Sequence, residues 1–240
     1  MGLRQSRTAR TVTSVCILVL FCAPGLTQEP DPAAVIRNVD AAVAARFENI
    51  LGFTDVEHYA VYRGDDQVHP AAEMTVRDTY KKGVGKTYTL MSQSGSSILL
   101  HFGLKPLLEN EQTINQPGNV EKSWFNSANY VMRLHSAAVQ NLNGRNCFAL
   151  DIKPKEVAPN LIIGTMWVDA RDETLVQIDG VASKNPSAFS GITHMMRQYT
   201  NINGYSMAIH ARAESDSALL GRTVVMIDYS DYKLEIKTGK

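Results

Sequence analysis

The chain has 240 residues, and its 24 lysines and arginines are balanced by 24 aspartates and glutamates. That neutral total, with no basic block, gives no electrostatic footprint for nucleic acid. Hydrophobic residues make up 44% of the chain, enough for one packed core, and all-β domains commonly reach this length as a single unit.

The N-terminus stands apart from the fold. Arg4, Arg7 and Arg10 precede an apolar run over residues 15–21, which is shorter than the ~20 residues a membrane-spanning helix needs. Small residues follow at Ala23-Pro24-Gly25 and Gly25-Leu26-Thr27. This order is that of a secretory signal peptide, expected to be removed over residues 1–27 and to leave one domain over 28–240. Bulky Phe21 directly before Cys22 argues against lipid attachment at that cysteine. The mature chain keeps 21 basic and 24 acidic residues, a formal charge of −3, and a single cysteine, Cys147. It can form neither an intramolecular disulfide nor a cysteine metal cluster.

Residues 33–50 carry the first predicted helix. Val35, Val39, Val43 and Phe47 recur every four residues and are joined by Ile36 and Ile50. Asp31-Pro32 supplies an N-cap and a proline at the first helical position, and Gly52 is expected to end the helix. Strand signals then come in series. Residues 56–63 read as a short strand near an edge. Ala72, Met74, Val76 and Tyr80 alternate with Glu73, Thr75, Arg77 and Lys81 as a half-buried strand, and Gly83-Val84-Gly85 turns the chain into residues 86–93.

Alternation breaks over residues 95–128, where Ile98, Leu99, Leu100, Phe102, Leu104, Leu107 and Leu108 crowd together. Pro106 can begin a short helix through Glu111, Gln116-Pro117-Gly118-Asn119 is a turn, and residues 120–128 can form another helical turn. Such an insertion into a strand series is read as a cap on the sheet. Strands resume at Tyr130, Met132 and Leu134. Asn143-Gly144 signals a two-residue hairpin into Phe148, Leu150 and Ile152.

The most apolar strand, residues 161–169, carries Leu161, Ile163 and Trp167 on one face and Ile162, Met166 and Val168 on the other. That pattern predicts cover on both sides. It pairs with residues 174–183 as a central hairpin. Residues 195–202 lead through Asn203-Gly204 to Met207, Ile209, Ala211 and Ala213, and a last strand spans 223–236. There, the spacing of Tyr229 and Tyr232 by three predicts a bulge.

The fold class is therefore α+β, mainly antiparallel β. A sheet of about ten to eleven strands curls into a half-barrel, with an N-terminal helix and short helices on its concave face.

Candidate chemistry is sparse. Gly83-Val84-Gly85-Lys86-Thr87 ends like a phosphate-binding loop, but Tyr80 stands where that motif needs its first glycine, and both flanks read as strands. No two of the six histidines lie three or four apart, so no metal spacing arises. Asp65-Asp66 and Asp169/Asp172 fall at turns, where acids serve conformation. Residues 186–191 do not form a nucleophile elbow. No enzyme activity, cofactor or metal is expected. Eight methionines, among them Met74, Met132, Met166 and Met207, sit in or beside strands, and methionine fills irregular apolar space.

The order of elements over residues 33–236 resembles the LolA-like family of periplasmic lipoprotein-sorting carriers. The local residues that carry the resemblance are Gly144-Arg145 before a strand ending Lys153-Pro154, then Gly164-Thr165-Met166-Trp167-Val168-Asp169, residues 176–180, and Ile227-Asp228-Tyr229. The resemblance implies a non-catalytic periplasmic monomer that binds lipid or lipoprotein acyl chains, with a membrane-bound donor or acceptor protein and a place in outer-membrane lipoprotein sorting. The alternative it implies is an envelope protein-interaction or sensory module of the same fold. Such modules carry a further C-terminal domain, whereas this sequence stops soon after Ile236. The alternation sets that would line an acyl-chain cavity are Met74 and Val76, Met132 and Leu134, Leu150 and Ile152, Trp167, Val176 and Ile178, and Met207 and Ile209. Leu107 and Trp124 would cover it.

Overall fold

The structure is a computed structural model that describes residues 1–2, 30–136, 138–184, 192–217 and 221–238. The leader segment and residues 186–191 fall wholly or almost wholly outside these. Helix α1 spans Pro32–Asn49, and the Asp31 side chain accepts from the Ala33 amide at 3.1 Å. Eleven strands follow: β1 (Ile50–Arg63), β2 (Ala72–Lys81), β3 (Gly85–Gly95), β4 (Tyr130–Leu134), β5 (Gln140–Leu142), β6 (Arg145–Pro154), β7 (Ile162–Asp169), β8 (Leu175–Ala182), β9 (Thr193–Ile202), β10 (Tyr205–Ser217) and β11 (Gly221–Ile236). They form one open, antiparallel half-barrel in the order β3-β2-β1-β11-β10-β9-β8-β7-β6-β4, with β5 also on β6. Between β3 and β4 the chain forms a helical turn α2 (Ser97–Leu99), a π-helical turn (Leu100–Leu104), α3 (Lys105–Ile114) and a 3-10 turn (Val120–Ser123).

Two apolar clusters hold these layers together. Val35 and Val39 of α1, flanked by Ile36 and Val43, pack on Tyr130, Met132, Phe148, Leu150, Ile152, Met166, Val168 and Ile178. Leu104 and Leu108 pack instead on Tyr59, Val61, Met74, Val76, Ala211 and Ile227. The half-barrel is thus covered from inside by α1 at one end and by the α2–α3 segment at the other.

Both Asn-Gly pairs are tight hairpin turns with positive φ at each residue, 53° and 78° at Asn143-Gly144 and 53° and 91° at Asn203-Gly204. The predicted bulge in the last strand is present. Thr54 pairs with Lys233 and Val56 with Ser230, so β11 carries one extra residue, and Asp231 has φ 55°. Three expectations are corrected. Gly52 does not cap α1; it lies inside β1, where an added Cβ would meet the Tyr80 carbonyl oxygen at 2.9 Å. β1 is a 14-residue interior strand between β2 and β11, because its polar residues Asp55 and Glu57 disguised its buried phase. β7 is covered on one side only: Ile162, Met166 and Val168 enter the core, while Ile163 is exposed.

The backbones of β7 and β8 leave no room for a side chain at their paired glycines, Gly164 and Gly180. A Cβ on Gly164 would lie 2.1 Å from the Asp179 carbonyl oxygen, and one on Gly180 would lie 2.3 Å from that of Ile163. Only glycine allows two strands to pass this closely. Gly180→Ala should therefore destabilise by roughly 1–3 kcal/mol through overpacking. By contrast, nothing lies within 4 Å of a Cβ at Gly144, so Gly144→Ala carries only the backbone strain of a positive φ, of order 1 kcal/mol. Urea titration of both variants checks the order.

Candidate functional site

The predicted lining residues do not form one wall. Met74, Val76 and Leu107 belong to the cluster under α3, and Met132, Leu134, Leu150, Ile152 and Ile178 to the one under α1. Val176 and Ile209 are the extra residues at bulges, Val176 buried and Ile209 exposed at the sheet surface. Trp167 is in the opposite phase to Met166 and points away from the core, where Nε1 donates to Gln140 Oε1 at 3.1 Å. Met207 is buried against α1, its sulfur accepting from Arg46 Nη2 at 3.7 Å.

Trp124 lies elsewhere. It stacks on Phe47 of α1 with ring centroids 4.2 Å apart, and the Arg46 guanidinium packs over the other ring at 4.8 Å. The pair forms one wall of a cleft of about 420 Å³ between the end of α1, the β2–β3 turn and the segment after α3; Ala44, Tyr80, Pro117 and Val120 complete its apolar surface. Glu48, Lys82 and Glu121 stand among the lining residues. The Trp124 Nε1–H is buried and has no hydrogen-bond partner. A buried donor without a partner calls for an acceptor, such as one from a bound molecule.

A second constellation lies between these clusters, and sequence reading missed it. Lys86, at the start of β3, is 7% exposed, and its Nζ lies 2.6 Å from Glu57 Oε1, 2.5 Å from Asp78 Oδ2 and 2.8 Å from Glu111 Oε2. Glu57 also accepts from the Tyr59 hydroxyl, and Glu111 faces Arg197 at 3.9 Å. Asp55, 1% exposed, completes the group; it stands outside the Lys86 ion pairs, and the Tyr232 hydroxyl is the hydrogen-bond donor beside it. The β11 bulge brings both Tyr229 and Tyr232 beside these acids.

Electrostatics follow from this crowding. Burial pushes Asp55 up to about 7; Lys86 opposes the shift, and Asp78 and Glu111 add to it. Burial and the charge of Glu111 also raise Glu57. Burial opposes the charge of Lys86, yet Glu111, Glu57 and Asp78 outweigh it and hold the ammonium well above its ordinary value. Glu111 is likewise penalised by burial but held below its usual range, chiefly by Lys86 and then Arg197. Asp55, Glu57 and Asp78 each offer an oxygen within 4.8 Å of the others, a spacing suited to a cation. Lys86 Nζ already stands against two of them, so the cation this cluster holds is the protein's own.

The signal for this cluster was present in phase. Asp55 and Glu57 share the parity of Tyr59 and Val61, and Asp78 falls between Val76 and Tyr80 on the buried face of β2. Charged residues in an apolar phase read as breaks in a strand unless their partners are known. Gly83-Val84-Gly85 is the hairpin turn expected, while its lysine serves the interior rather than a phosphate.

No protein-family model matches the chain, and no curated protein matches it. Solved structures do. A LolA superfamily protein of Nitrosomonas europaea is 11% identical, with 87% of this chain and 96% of that one covered and a TM-score of 0.47. A Vibrio parahaemolyticus protein described as an outer membrane lipoprotein-sorting protein domain is 12% identical over 84% and 93%, with a TM-score of 0.48. A DUF1329 family protein of Desulfovibrio piger is 15% identical over 88% and 96%, with a TM-score of 0.44. The chain is similar in arrangement to these proteins. At such identities its function rests on its own residues.

Removing the ammonium takes from Glu57 and Asp78 the cation that faces them and leaves Glu111 only the more distant Arg197. Lys86→Met should cost about 3–5 kcal/mol, and the loss should shrink as pH falls and the acids protonate. Denaturation midpoints of wild type and variant at pH 5 and pH 7.5 check this.

Proposed function

We propose that the protein is a non-catalytic envelope carrier that binds an acyl chain of a lipid or lipoprotein, with the chain seated in the cleft walled by Phe47 and Trp124. The single observation that carries this reading is the unpartnered, buried Nε1–H of Trp124, a residue that walls a cleft lined by Ala44, Tyr80, Pro117 and Val120 together with Glu48, Lys82 and Glu121. A hydrocarbon chain matches the walls, and the ester or amide carbonyl at its head supplies the acceptor that the indole lacks. The volume falls within the ~300–1,000 Å³ of small-molecule sites, and buried methylenes contribute about 0.8 kcal/mol each before costs. Periplasmic location follows the leader read at residues 1–27, and among the described residues no helix is long and apolar enough to cross a membrane. A carrier of this kind works as a monomer between a membrane-bound donor and an acceptor.

One observation favours a second reading, a protein-binding module. β3 is an edge strand, and no residue from Thr87 to Gly95 carries a charge. Charged side chains are a common means of blocking strand addition, and here only the bulge at Met91 interrupts the edge.

Displacement of a fluorescent fatty acid from the mature protein separates the readings. Wild type should bind, and Trp124→Ala should weaken binding at least tenfold. Trp124→Phe keeps the apolar wall but loses the donor. It should weaken an acyl ester about fivefold, the worth of one net hydrogen bond, and leave a plain hydrocarbon unaffected. Absence of binding by wild type, or indifference to Trp124→Ala, overturns the carrier reading. Capture of an extended peptide, sensitive to a charge placed at Thr89 in β3, would then support the second.

A further inference from the structure

The buried cluster is unevenly distributed over the fold. Asp55 and Glu57 lie on β1, Asp78 on β2 and Lys86 on β3, all in the sheet, whereas Glu111 alone is carried by a helix, α3. Four carboxylates thus face two cations, Lys86 within the group and Arg197 at its margin on the Glu111 side. Fully ionised, the group would hold two uncompensated negative charges out of reach of water, a costly state. Hydrogen bonds stabilise an ionised carboxylate, and Glu57 has two such donors, Lys86 and Tyr59. Asp55 has one neutral donor, the Tyr232 hydroxyl, and is the one carboxylate of the four outside the Lys86 ion pairs, so its neutral form suits its surroundings best.

We propose that docking of α3 onto the sheet is proton-linked, with Asp55 as the group whose protonation lets the helix close. The groups that face Asp55 come from every neighbouring element: Glu57 on its own strand, Asp78 on β2, Lys86 on β3, Glu111 on α3, and Tyr229 and Tyr232 on β11. Arg197 of β9 pairs with Glu111, and the charge of Arg46 of α1 is felt by Tyr232. Ionising Asp55 therefore adds a negative charge beside Asp78 and Glu111. Asp78 is fixed by two neighbouring strands, so the repulsion is relieved by moving α3. That movement also admits water, which is what the ionised carboxylate lacks.

The sign follows from linkage. Asp55 is raised to about 7 when α3 is docked, and returns toward the ordinary carboxylate value near ~3.9 when opening exposes it. Closure is strongest below the lower value, weakens as pH rises toward 7, and levels off above 7. Glu57 is raised in the docked state and acts in the same direction. Glu111 is lowered, so its contribution persists through this window.

The experiment is amide hydrogen exchange of the mature protein between pH 5.5 and 7.5, corrected for the intrinsic pH dependence of exchange. If opening exposes Asp55 fully, protection of the α3 amides should fall by up to tenfold per pH unit, while amides of β6 to β8 stay unchanged. Asp55→Asn, a neutral side chain of the same shape, should make α3 protection independent of pH across this range and at least as high at pH 7.5 as wild type has at pH 5.5. Equal protection of α3 at both pH values in wild type overturns the proposal without recourse to any variant. A fall shared equally by β6 to β8 also overturns it, since it would report global unfolding. So does an Asp55→Asn protein that keeps the wild-type pH profile. None of these outcomes depends on whether an acyl chain binds beside Trp124.

Discussion

The Lys86 ammonium is the point at which β1, β2 and α3 meet through charge. Its three ion pairs reach β1, β2 and α3 from the first turn of β3, and each distance is below 3 Å. An interior lysine of this kind is held by charge, since burial alone would remove its proton. Once it is in place, the strands on either side are fixed. Glu57 and Asp78 must face inward, so Tyr59, Val61, Met74 and Val76 must do so too, because side chains alternate along a strand. The apolar cluster beneath α3 and the ionic cluster are therefore consequences of one register. Slipping β2 by a single residue would expose Met74 and Val76 and strand Lys86 among apolar atoms.

This arrangement divides the concave face by chemistry. At the β4–β8 end α1 seals a wholly apolar cluster, and at the β1–β3 end the α2–α3 segment covers a smaller one bordered by charge. Among the described residues the inward sets expected to line one cavity fall into two clusters, each packed against a helical segment. An open cleft lies between the end of α1 and the segment after α3, beside Phe47 and Trp124. Met207 illustrates the change. It reads as a cavity residue, yet Arg46 sits on it while donating to the Ser206 carbonyl, so a charge at Met207 would damage packing rather than block a ligand.

The architecture was legible because it depends on features that are local in the chain. The four-residue spacing of Val35, Val39 and Val43, the two Asn-Gly turns, the three-residue spacing of Tyr229 and Tyr232 and the break in alternation after residue 95 each specify one element. β5 escaped notice since three residues, Gln140 to Leu142, are too few to show a period. The site was less legible for a different reason. Asp55, Asp78, Lys86 and Glu111 are up to 56 residues apart, and each taken alone is an ordinary surface residue by type. Only the pairing of Asp55 with Asp78 across β1 and β2 brings two acids to one point and creates the need for a cation. Trp124 and Trp167 show the same limit. Both are tryptophans in apolar surroundings, and the choice between cleft wall and outer surface was decided by strand phase and by the stacking partner Phe47.

The two polar features of the interior answer to opposite rules. Burying the ionic cluster is costly, and replacing such groups by well-packed apolar residues is often neutral or stabilising, so stability alone does not account for a lysine and four acids in this place. The Trp124 indole is a smaller anomaly of the same kind, since phenylalanine would line the cleft without leaving a donor unsatisfied. Both lie along the edges of the segment that runs from α2 to the 3-10 turn: Glu111 within it and Trp124 at its end. The rest of that segment is fastened by leucines, whose attraction is non-directional and tolerates small displacements. Directional polar contacts placed at one point of such a cover, with apolar contacts elsewhere, make its closure sensitive to charge at that point. A fold selected only for rigidity would fasten the segment with further apolar contacts. Of the polar groups concerned, Glu111 belongs to the cover and Trp124 to its end, whereas Asp55 and Asp78 lie on the sheet beneath it, so the charge that the cover meets is set by the strands.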